Sequence, residues 1–393
     1  MQAFAGLIRR NVSHRRSAAL VVVAAAAAIA LFPQGIGAAP DVHGSAWGWG
    51  SNATGQLGIG IIGDRSVPVR ASSIFGLTQI SQGVLHTTAV REDATVWSWG
   101  NNDYGQLGLN SRTSSTSRRP VFGLTQVQQV GSGFVHSTAV TSDGTVWAWG
   151  WNAVGQLGDG TTVDRLKPTP VEGLDSVVQV SSGWFHNLAL KEDGTVWSWG
   201  WNPFGQLGGA AVAMRTTPAR VPGLSDVVYV ASGAYHSLAV KSDGSVWSWG
   251  YNGLGSLGDG TAIDRSAPVP VSGLSDVFMV SSGIFHNLAL KSDGSVAAWG
   301  WNPLGQLGDG TTTDRRIPVN VPGISDAEWV AAGGYHSLAL KGDGKLRSWG
   351  WNYFGQLGTG NTMDSSRPVA AGANRTFIDI DAGYLTTIGL SDE

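Results

Sequence analysis

The 393-residue sequence contains no cysteine, which excludes disulfide bonds, thiolate nucleophiles and cysteine-ligated zinc together. Charged residues are also scarce: Asp, Glu, Lys and Arg make up 13% of the chain, about half of the ordinary share of ~25%. The formal net charge is only −3. A strongly basic nucleic-acid-binding protein and a disordered acidic chain are therefore both excluded.

The first 39 residues contain no acidic side chain, and their four basic residues are all arginine, between Arg9 and Arg16. An apolar run from Ala18 to Phe32 follows, and small residues lead to Pro40. This order is typical of a signal peptide, which we predict to span residues 1–39. An uncleaved anchor is the alternative, although fifteen apolar residues are short for a membrane span of about 20. We expect a secreted or otherwise extracytoplasmic bacterial protein.

Glycine and tryptophan are abundant, with 57 and 18 residues, and their positions repeat. A Trp-Gly pair recurs every 50 residues without slippage, at Trp49, Trp99, Trp149, Trp199, Trp249, Trp299 and Trp349. A fixed period of this length is typical of repeat architectures. Seven copies account for nearly all of residues 40–393, which we therefore predict to form one domain.

Each repeat predicts four short β-strands. In the copy from Ser176 to Gly223, apolar or alternating runs are separated by turn residues. Asp193-Gly194 supplies the positive φ that a tight hairpin needs, whereas the copy with Asp93-Ala94 should have a strained or differently built turn. Four strands are the content of a β-propeller blade, so the fold class is all-β.

The two ends of the domain should share one blade. The domain begins with a third strand, Ser45–Trp49, and ends with a first and a second, Phe377–Ile380 and Thr387–Leu390. A composite blade built from both termini would close the ring and leave no exposed terminal sheet face.

Most tryptophans and histidines have structural interpretations. Because side chains alternate between faces along a strand, Trp147, Trp149 and Trp151 should share one side of a blade and pack against small residues of its neighbour. The six histidines that recur from His86 to His336 lie too far apart for one metal site. We expect them to hydrogen-bond neighbouring backbone.

No catalytic or cofactor-binding motif stands apart from the repeat. The loop Asp159–Arg165 lacks the ligand pattern of a calcium loop, and we interpret it as a turn with an Asp–Arg contact. No Ser/His/Asp set or phosphate loop is present. We predict no enzyme activity, no cofactor and no metal.

The segments Gly200–Gly208 and Ser181–Leu190, with their counterparts, resemble the repeats of the regulator of chromosome condensation (RCC1) family. The resemblance implies a seven-bladed β-propeller of four-stranded antiparallel blades. The family includes nuclear guanine-nucleotide exchange factors, a plant ultraviolet-B photoreceptor and secreted bacterial inhibitors of β-lactamases.

Departures from these relatives limit what the resemblance implies. The unbroken spacing leaves no room for the blade insertion of the exchange factors, and Phe185 stands where the photoreceptor motif has arginine. The secreted inhibitors are closest in character, because they share the export signal and seven blades without an insertion. They mostly lack the loop at Gly158–Thr161, so the same target is not implied.

Two variable residue pairs per blade, before each His and after each repeated Asn, should lie on one face of the ring. Their aromatic members are candidate anchors for a partner, although Tyr235, Phe285 and Tyr335 could instead be buried under their loops. The candidate binding residues are Tyr104, Phe134, Trp184, Phe185, Phe204, Tyr235, Phe285, Tyr335, Tyr353, Phe354 and Tyr384.

The leading hypothesis is an exported, monomeric, non-enzymatic propeller that binds a protein or cell-surface ligand through these aromatic loops. We predict no nucleic-acid partner, and no membrane association unless the N-terminal segment is retained. An RCC1-like regulator or guanine-nucleotide exchange factor is the alternative from a different class, followed by a carbohydrate-active enzyme.

Overall fold

The computed structural model describes residues 44–71, 75–209 and 212–391, so the predicted signal peptide lies outside the described residues. The described chain forms seven four-stranded antiparallel sheets and one short 3-10 turn, Gly372–Asn374. The prediction of an all-β, seven-bladed propeller is confirmed. Within the described ranges, no helix is long and apolar enough to span a bilayer.

Blade 1 contains both ends of the domain, and blades 2 to 4 follow along the chain. The strands of blade 1 are β1 Ser45–Gly50, β2 Arg65–Arg70, β27 Asp379–Ala382 and β28 Thr386–Ser391. Those of blades 2 to 4 are β3 Leu77–Gln82, β4 His86–Arg91, β5 Val96–Gly100, β6 Ser115–Pro120, β7 Val127–Ser132, β8 His136–Thr141, β9 Val146–Gly150, β10 Arg165–Pro170, β11 Val177–Ser182, β12 His186–Lys191, β13 Val196–Trp201 and β14 Met214–Arg220.

Blades 5 to 7 have the same four-strand order. Their strands are β15 Val227–Ser232, β16 His236–Lys241, β17 Val246–Gly250, β18 Arg265–Pro270, β19 Val277–Ser282, β20 His286–Lys291, β21 Val296–Gly300, β22 Arg315–Asn320, β23 Ala327–Ala332, β24 His336–Lys341, β25 Leu346–Gly350 and β26 Ser365–Ala371.

The first strands of adjacent blades contact one another around a central axis, and β27 against β3 completes the circle. In blade 1, β28 from the C-terminal end pairs with β1 from the N-terminal end, placing Gly48 opposite Ile388. The predicted composite blade is therefore confirmed. The hydrophobic core lies between blades, where each cluster combines side chains from two neighbours.

The indole of each Trp-Gly pair forms the central contact of an interface. Trp149 is fully buried, and its Nε1–H donates to the carbonyl oxygen of Gln106 in the preceding blade at 2.8 Å. Gly108 lies directly against this indole, so a Cβ there would be 3.0 Å from Nε1. The interface between blades 7 and 1 has the same contact, with Trp49 donating to the carbonyl oxygen of Gln356 at 3.0 Å.

The histidines form a second ring of contacts between blades. The Nε2 atom of His86 lies 2.9 Å from Oγ of Ser137 in the next blade. Because that hydroxyl donates its own proton to the carbonyl oxygen of Gln106, Nε2 must be the donor. The expected structural role is supported, but the expected backbone partner is wrong: all six Nε2 atoms contact a side chain 51 residues further along.

The closing interface, where β27 of blade 1 meets β3 of blade 2, uses different residues for this link. Thr386 stands where the other blades have histidine, and its hydroxyl donates to Oε1 of Gln82 at 2.7 Å. The carboxylate of Asp381 accepts the backbone N–H of Gln82 at 2.6 Å. Burial, together with the nearby Asp381 carboxylate, raises the pKa of Asp379 to about 7, and burial raises the pKa of Asp381 to about 6.

The turn predictions are also confirmed. Ala94 adopts φ 59°, the left-handed conformation that glycine takes in the equivalent turns, so this turn is strained rather than differently built. In the Asp159–Arg165 loop, Asp159 Oδ1 accepts the N–H of Thr161 at 3.0 Å, and Oδ2 lies 2.7 Å from the Arg165 guanidinium. The predicted turn with an Asp–Arg contact is therefore present.

The Trp–Gly contact predicts a steric cost that can be separated from backbone strain. Gly108 and Gly123 both have positive φ, but no atom lies within 4 Å of a Cβ added at Gly123. Gly123→Ala should lower the free energy of unfolding by about 1–2 kcal/mol, the cost of a left-handed alanine. Gly108→Ala should lose a further ~1–3 kcal/mol through overpacking. Urea unfolding measures both, and equal losses would contradict the proposed fit.

The buried histidines predict a stability that rises with pH between about 4 and 6.5. Burial, in some cases with a neighbouring histidine, lowers the six pKa values to about 3 or 4, against ~6.5 unfolded. Unfolding in this range therefore takes up protons at the histidines. Asp379 and Asp381 act oppositely, because their raised pKa values make unfolding release protons.

Near pH 5, the net uptake on unfolding should be about four protons. The pH dependence of the urea unfolding free energy gives this number directly. His236→Gln should reduce the uptake by about one proton, and Asp379→Asn should increase it by about one. A free energy of unfolding that is constant or falls from pH 4.5 to 6.5 would be inconsistent with the neutral histidine ring.

Candidate aromatic binding face

A repeated backbone bond brings two loops of each blade together on one face. The residue after the Trp-Gly pair donates its N–H to the carbonyl oxygen of the residue before the His. Trp201 thus bonds Phe185 at 2.9 Å, and Trp351 bonds Tyr335 at 2.9 Å. The two rings of each pair therefore meet edge to face, with centroids 5.6 Å and 5.5 Å apart.

This geometry corrects the prediction for Trp151. Strand β9 ends at Gly150, whose φ of 104° turns the chain out of the extended conformation. Trp147 and Trp149 pack in the same inter-blade cluster, as predicted. Trp151 instead lies on the loop face, with its ring centroid 5.7 Å from that of Phe185.

All eleven candidate residues belong to one network of ring contacts, which also includes five further rings. We call the whole set the aromatic crescent. Its members are Tyr104, Phe134, Trp151, Trp184, Phe185, Trp201, Phe204, Tyr235, Tyr251, Phe285, Trp301, Tyr335, Trp351, Tyr353, Phe354 and Tyr384. The five additional rings all follow a Trp-Gly pair, and this spacing is the signal that could have identified them.

Two rings meet over the mouth of the central channel. Trp184 belongs to blade 4 and Tyr384 to blade 1, which are not neighbours in the ring, yet their centroids are 5.7 Å apart. A cavity of about 80 Å³ lies at the channel head, lined by residues such as Gly133, Gly233 and Gly333. It has room for only a few water molecules, so a macromolecular partner would meet the surface rather than enter the channel.

The crescent is almost free of charge. Among the variable pairs around it, Asp103 is the only charged residue in the sequence. The hydroxyls of Tyr335 and Tyr384 lie 3.3 Å apart, and burial followed by this contact raises the pKa of Tyr335. Burial also raises the pKa of Tyr235 and Tyr251. These phenols are therefore neutral at physiological pH and offer hydroxyl groups without charge.

Exposure differs among the rings. Tyr353 is 67% exposed and stacks on Trp351 with an angle of 18° between ring planes, and Tyr104 is 40% exposed. The alternative that Tyr235, Phe285 and Tyr335 are buried is only half right, because each is partly exposed. The crescent combines rings fixed by their neighbours with a few that reach into solvent.

The described residues contain no cluster of three or more His, Asp or Glu side chains arranged to hold a metal ion.

Comparison with known families matches this chain to RCC1 models throughout the propeller. A model of the RCC1-like domain matches residues 172–388, more than half of the chain. RCC1 repeat models match residues 43–90, 93–140 and 143–190, and also 77–106 and 127–156. The chain belongs to the RCC1 repeat family.

Solved RCC1-like structures share the whole fold. Prp20p from Saccharomyces cerevisiae, whose structure was described with its binding to Gsp1p and histones, is 24% identical with a TM-score of 0.80. The match covers 89% of this chain and 91% of Prp20p. Human WBSCR16 is 25% identical over 88% of this chain and 98% of its own, also with a TM-score of 0.80. No protein with curated function matched the sequence.

Proposed function

We propose that this RCC1-family propeller is a non-enzymatic protein that binds another protein through the aromatic crescent. The observation that supports this most directly is the crescent itself, sixteen contacting and uncharged rings on one face. Large aromatic surfaces of this kind are typical of interaction sites. Trp and Tyr are enriched among the residues that dominate protein-protein affinity.

The ring contacts reduce the entropic cost of binding. Tyr235 contacts six other rings, including Trp184 and Phe285, so its rotamer is already restricted before a partner arrives. Immobilising a mobile side chain costs about 0.5–1.5 kcal/mol. A face assembled from restricted rings avoids much of that cost, and the phenol hydroxyls can satisfy polar groups at the edge of an apolar partner surface.

Two cellular roles are compatible with such a face. The comparisons favour the RCC1-like regulator, because Prp20p was described with its binding to Gsp1p, and a second solved structure shows Kap60 bound to yeast RCC1. The N-terminal sequence favours an exported protein that binds a protein or cell-surface ligand. Protein binding is common to both roles, and the partner distinguishes them.

Removing exposed and central rings should abolish partner capture without unfolding the propeller. The triple variant Trp184→Ala/Tyr353→Ala/Phe354→Ala should retain less than about a tenth of the partner captured by wild type from cytosolic, envelope and medium fractions of the producing organism. Quantitative pull-down with mass spectrometry measures the loss. Phe122→Ala is the matched control, because Phe122 is 71% exposed but follows the fourth strand on the opposite face. Equal capture by the triple variant and wild type would refute the assignment.

Guanine-nucleotide exchange distinguishes the regulatory role from ligand binding alone. If this chain acts as an exchange factor, it should accelerate GDP release from a small GTPase of its own organism at least about tenfold, and the triple variant should not. Release of a fluorescent GDP analogue from each purified GTPase measures the rate. If GDP release is not accelerated for any GTPase, the exchange role is excluded. Protein binding is then tested by the pull-down alone.

A further inference from the structure

A polar groove adjoins the aromatic crescent between blades 5 and 6. Its volume is about 500 Å³. Blade 5 contributes Gly253 and Leu254, and blade 6 contributes Pro303, the loop Thr312–Asp314 and Arg316. Three of these residues belong to the variable pairs after the repeated Asn, which also carry crescent rings. The groove therefore extends outward from the crescent rather than forming a separate site.

Two departures from the repeat coincide at this groove. Gly253 is the only glycine at its repeat position, where the other copies have Ala53, Asp103, Ala153, Pro203, Pro303 and Tyr353. Arg316 is the only charged residue at its position, where the others are Ser66, Thr116, Leu166, Thr216, Ser266 and Ser366. A Cβ at residue 253 would lie 2.7 Å from Cζ of Tyr251. The missing side chain thus lets the Tyr251 phenol lie directly against the backbone at the edge of the groove.

The backbone of Arg316 is fixed while its guanidinium is exposed. Its carbonyl oxygen accepts the N–H of Gly260 at 2.9 Å, and a Cβ at Gly255 would lie 3.0 Å from its Cα. The adjacent Arg315 is occupied, because its Nε donates to Asp309 at 2.8 Å. Within the described chain, no carboxylate oxygen lies within 4.0 Å of the Arg316 guanidinium, and no hydrogen bond engages it.

The acidic residue that lines the groove, Asp314, is already hydrogen-bonded. Oδ1 of Asp314 accepts the backbone N–H of Asn302 at 2.8 Å, which holds this carboxylate at the loop and away from Arg316. Arg316 therefore presents its planar set of donors to solvent, beside an uncharged aromatic surface. Carboxylates are the groups that such a guanidinium binds best, through two parallel hydrogen bonds.

We propose that the groove binds the carboxylate of an Asp or Glu in the partner, next to apolar residues that contact the crescent. The partner segment would pass over Tyr251, with its apolar side chains on the rings and its acidic side chain on Arg316. This inference rests on the proposed protein-binding function and names the chemistry that the partner must carry. Leu254 and Pro303 would exclude part of the solvent from the ion pair and strengthen it.

Selection from a phage-displayed random dodecapeptide library tests this chemistry with a defined probe. Peptides retained by the wild-type protein should combine aromatic or aliphatic residues with an Asp or Glu at a fixed spacing from them. Arg316→Ser places at this position the serine that three other repeats have. Peptides selected on this variant should no longer be enriched in Asp or Glu but should keep their aromatic or aliphatic residues. Lys167→Ser removes an exposed positive charge on β10 and should select the same peptides as wild type.

A selected peptide then allows a direct measurement. Arg316→Ser should weaken its binding about tenfold, and replacing the acidic residue of the peptide with its amide should weaken binding to wild type equally. When the two changes are combined, the loss of peptide affinity should be no larger than the loss from either change alone. If peptides selected on Arg316→Ser still prefer an acidic residue, or peptides selected on wild type do not, the groove assignment is wrong. The proposed protein-binding function is not affected by either result. If wild type and the triple crescent variant retain the same peptides, the proposed function fails, and this inference with it.

Discussion

The fit of one indole into the preceding blade is the constraint on which the rest of the structure depends. Each indole donates a hydrogen bond to a loop carbonyl of the neighbouring blade, as Trp199 does to Gln156 at 2.9 Å, and lies against a glycine with no room for a Cβ. In a closed ring, the angles between blades must add up to one full turn. A larger residue at one interface would change one angle and strain the others.

This packing leaves the loop face free to carry function. The Trp contacts and the histidines link each blade to the next, with all six imidazoles neutral and bonded through Nε2 to the next blade. The side chains before each His and after each Asn contribute little to these contacts between blades. They can differ between blades at low cost to stability. A symmetric scaffold thus presents an asymmetric surface, rich in rings from blade 3 to blade 7 and with one ring each at blades 1 and 2.

The sequence predicted the fold, the composite blade and eleven of the crescent rings, because each follows from a local signal: the period, the strand order and antiparallel geometry. Trp151 and its four counterparts were missed because strand alternation was extended through Gly150, whose positive φ ends the strand. The partner of each histidine was missed because it lies on another blade. The groove at Arg316 depends on two loops about sixty residues apart, and only their three-dimensional arrangement shows that Gly253 and Arg316 coincide.

The closing interface shows how the family pattern is modified where the chain ends meet. At other interfaces, neutral side chains accept the backbone N–H groups of the neighbouring first strand, as Gln129 does for Val180 and Ser181 for Ser232. At the closure, Asp381 takes this role for Gln82. A carboxylate is the stronger acceptor, but its burial beside Asp379 is costly and raises both pKa values. Near neutral pH, the seam that holds the ring shut is therefore the interface whose protonation changes, while the six histidine links stay neutral. Acid stabilises this seam and weakens the other links, so the closing contact and the repeated contacts respond to pH in opposite directions.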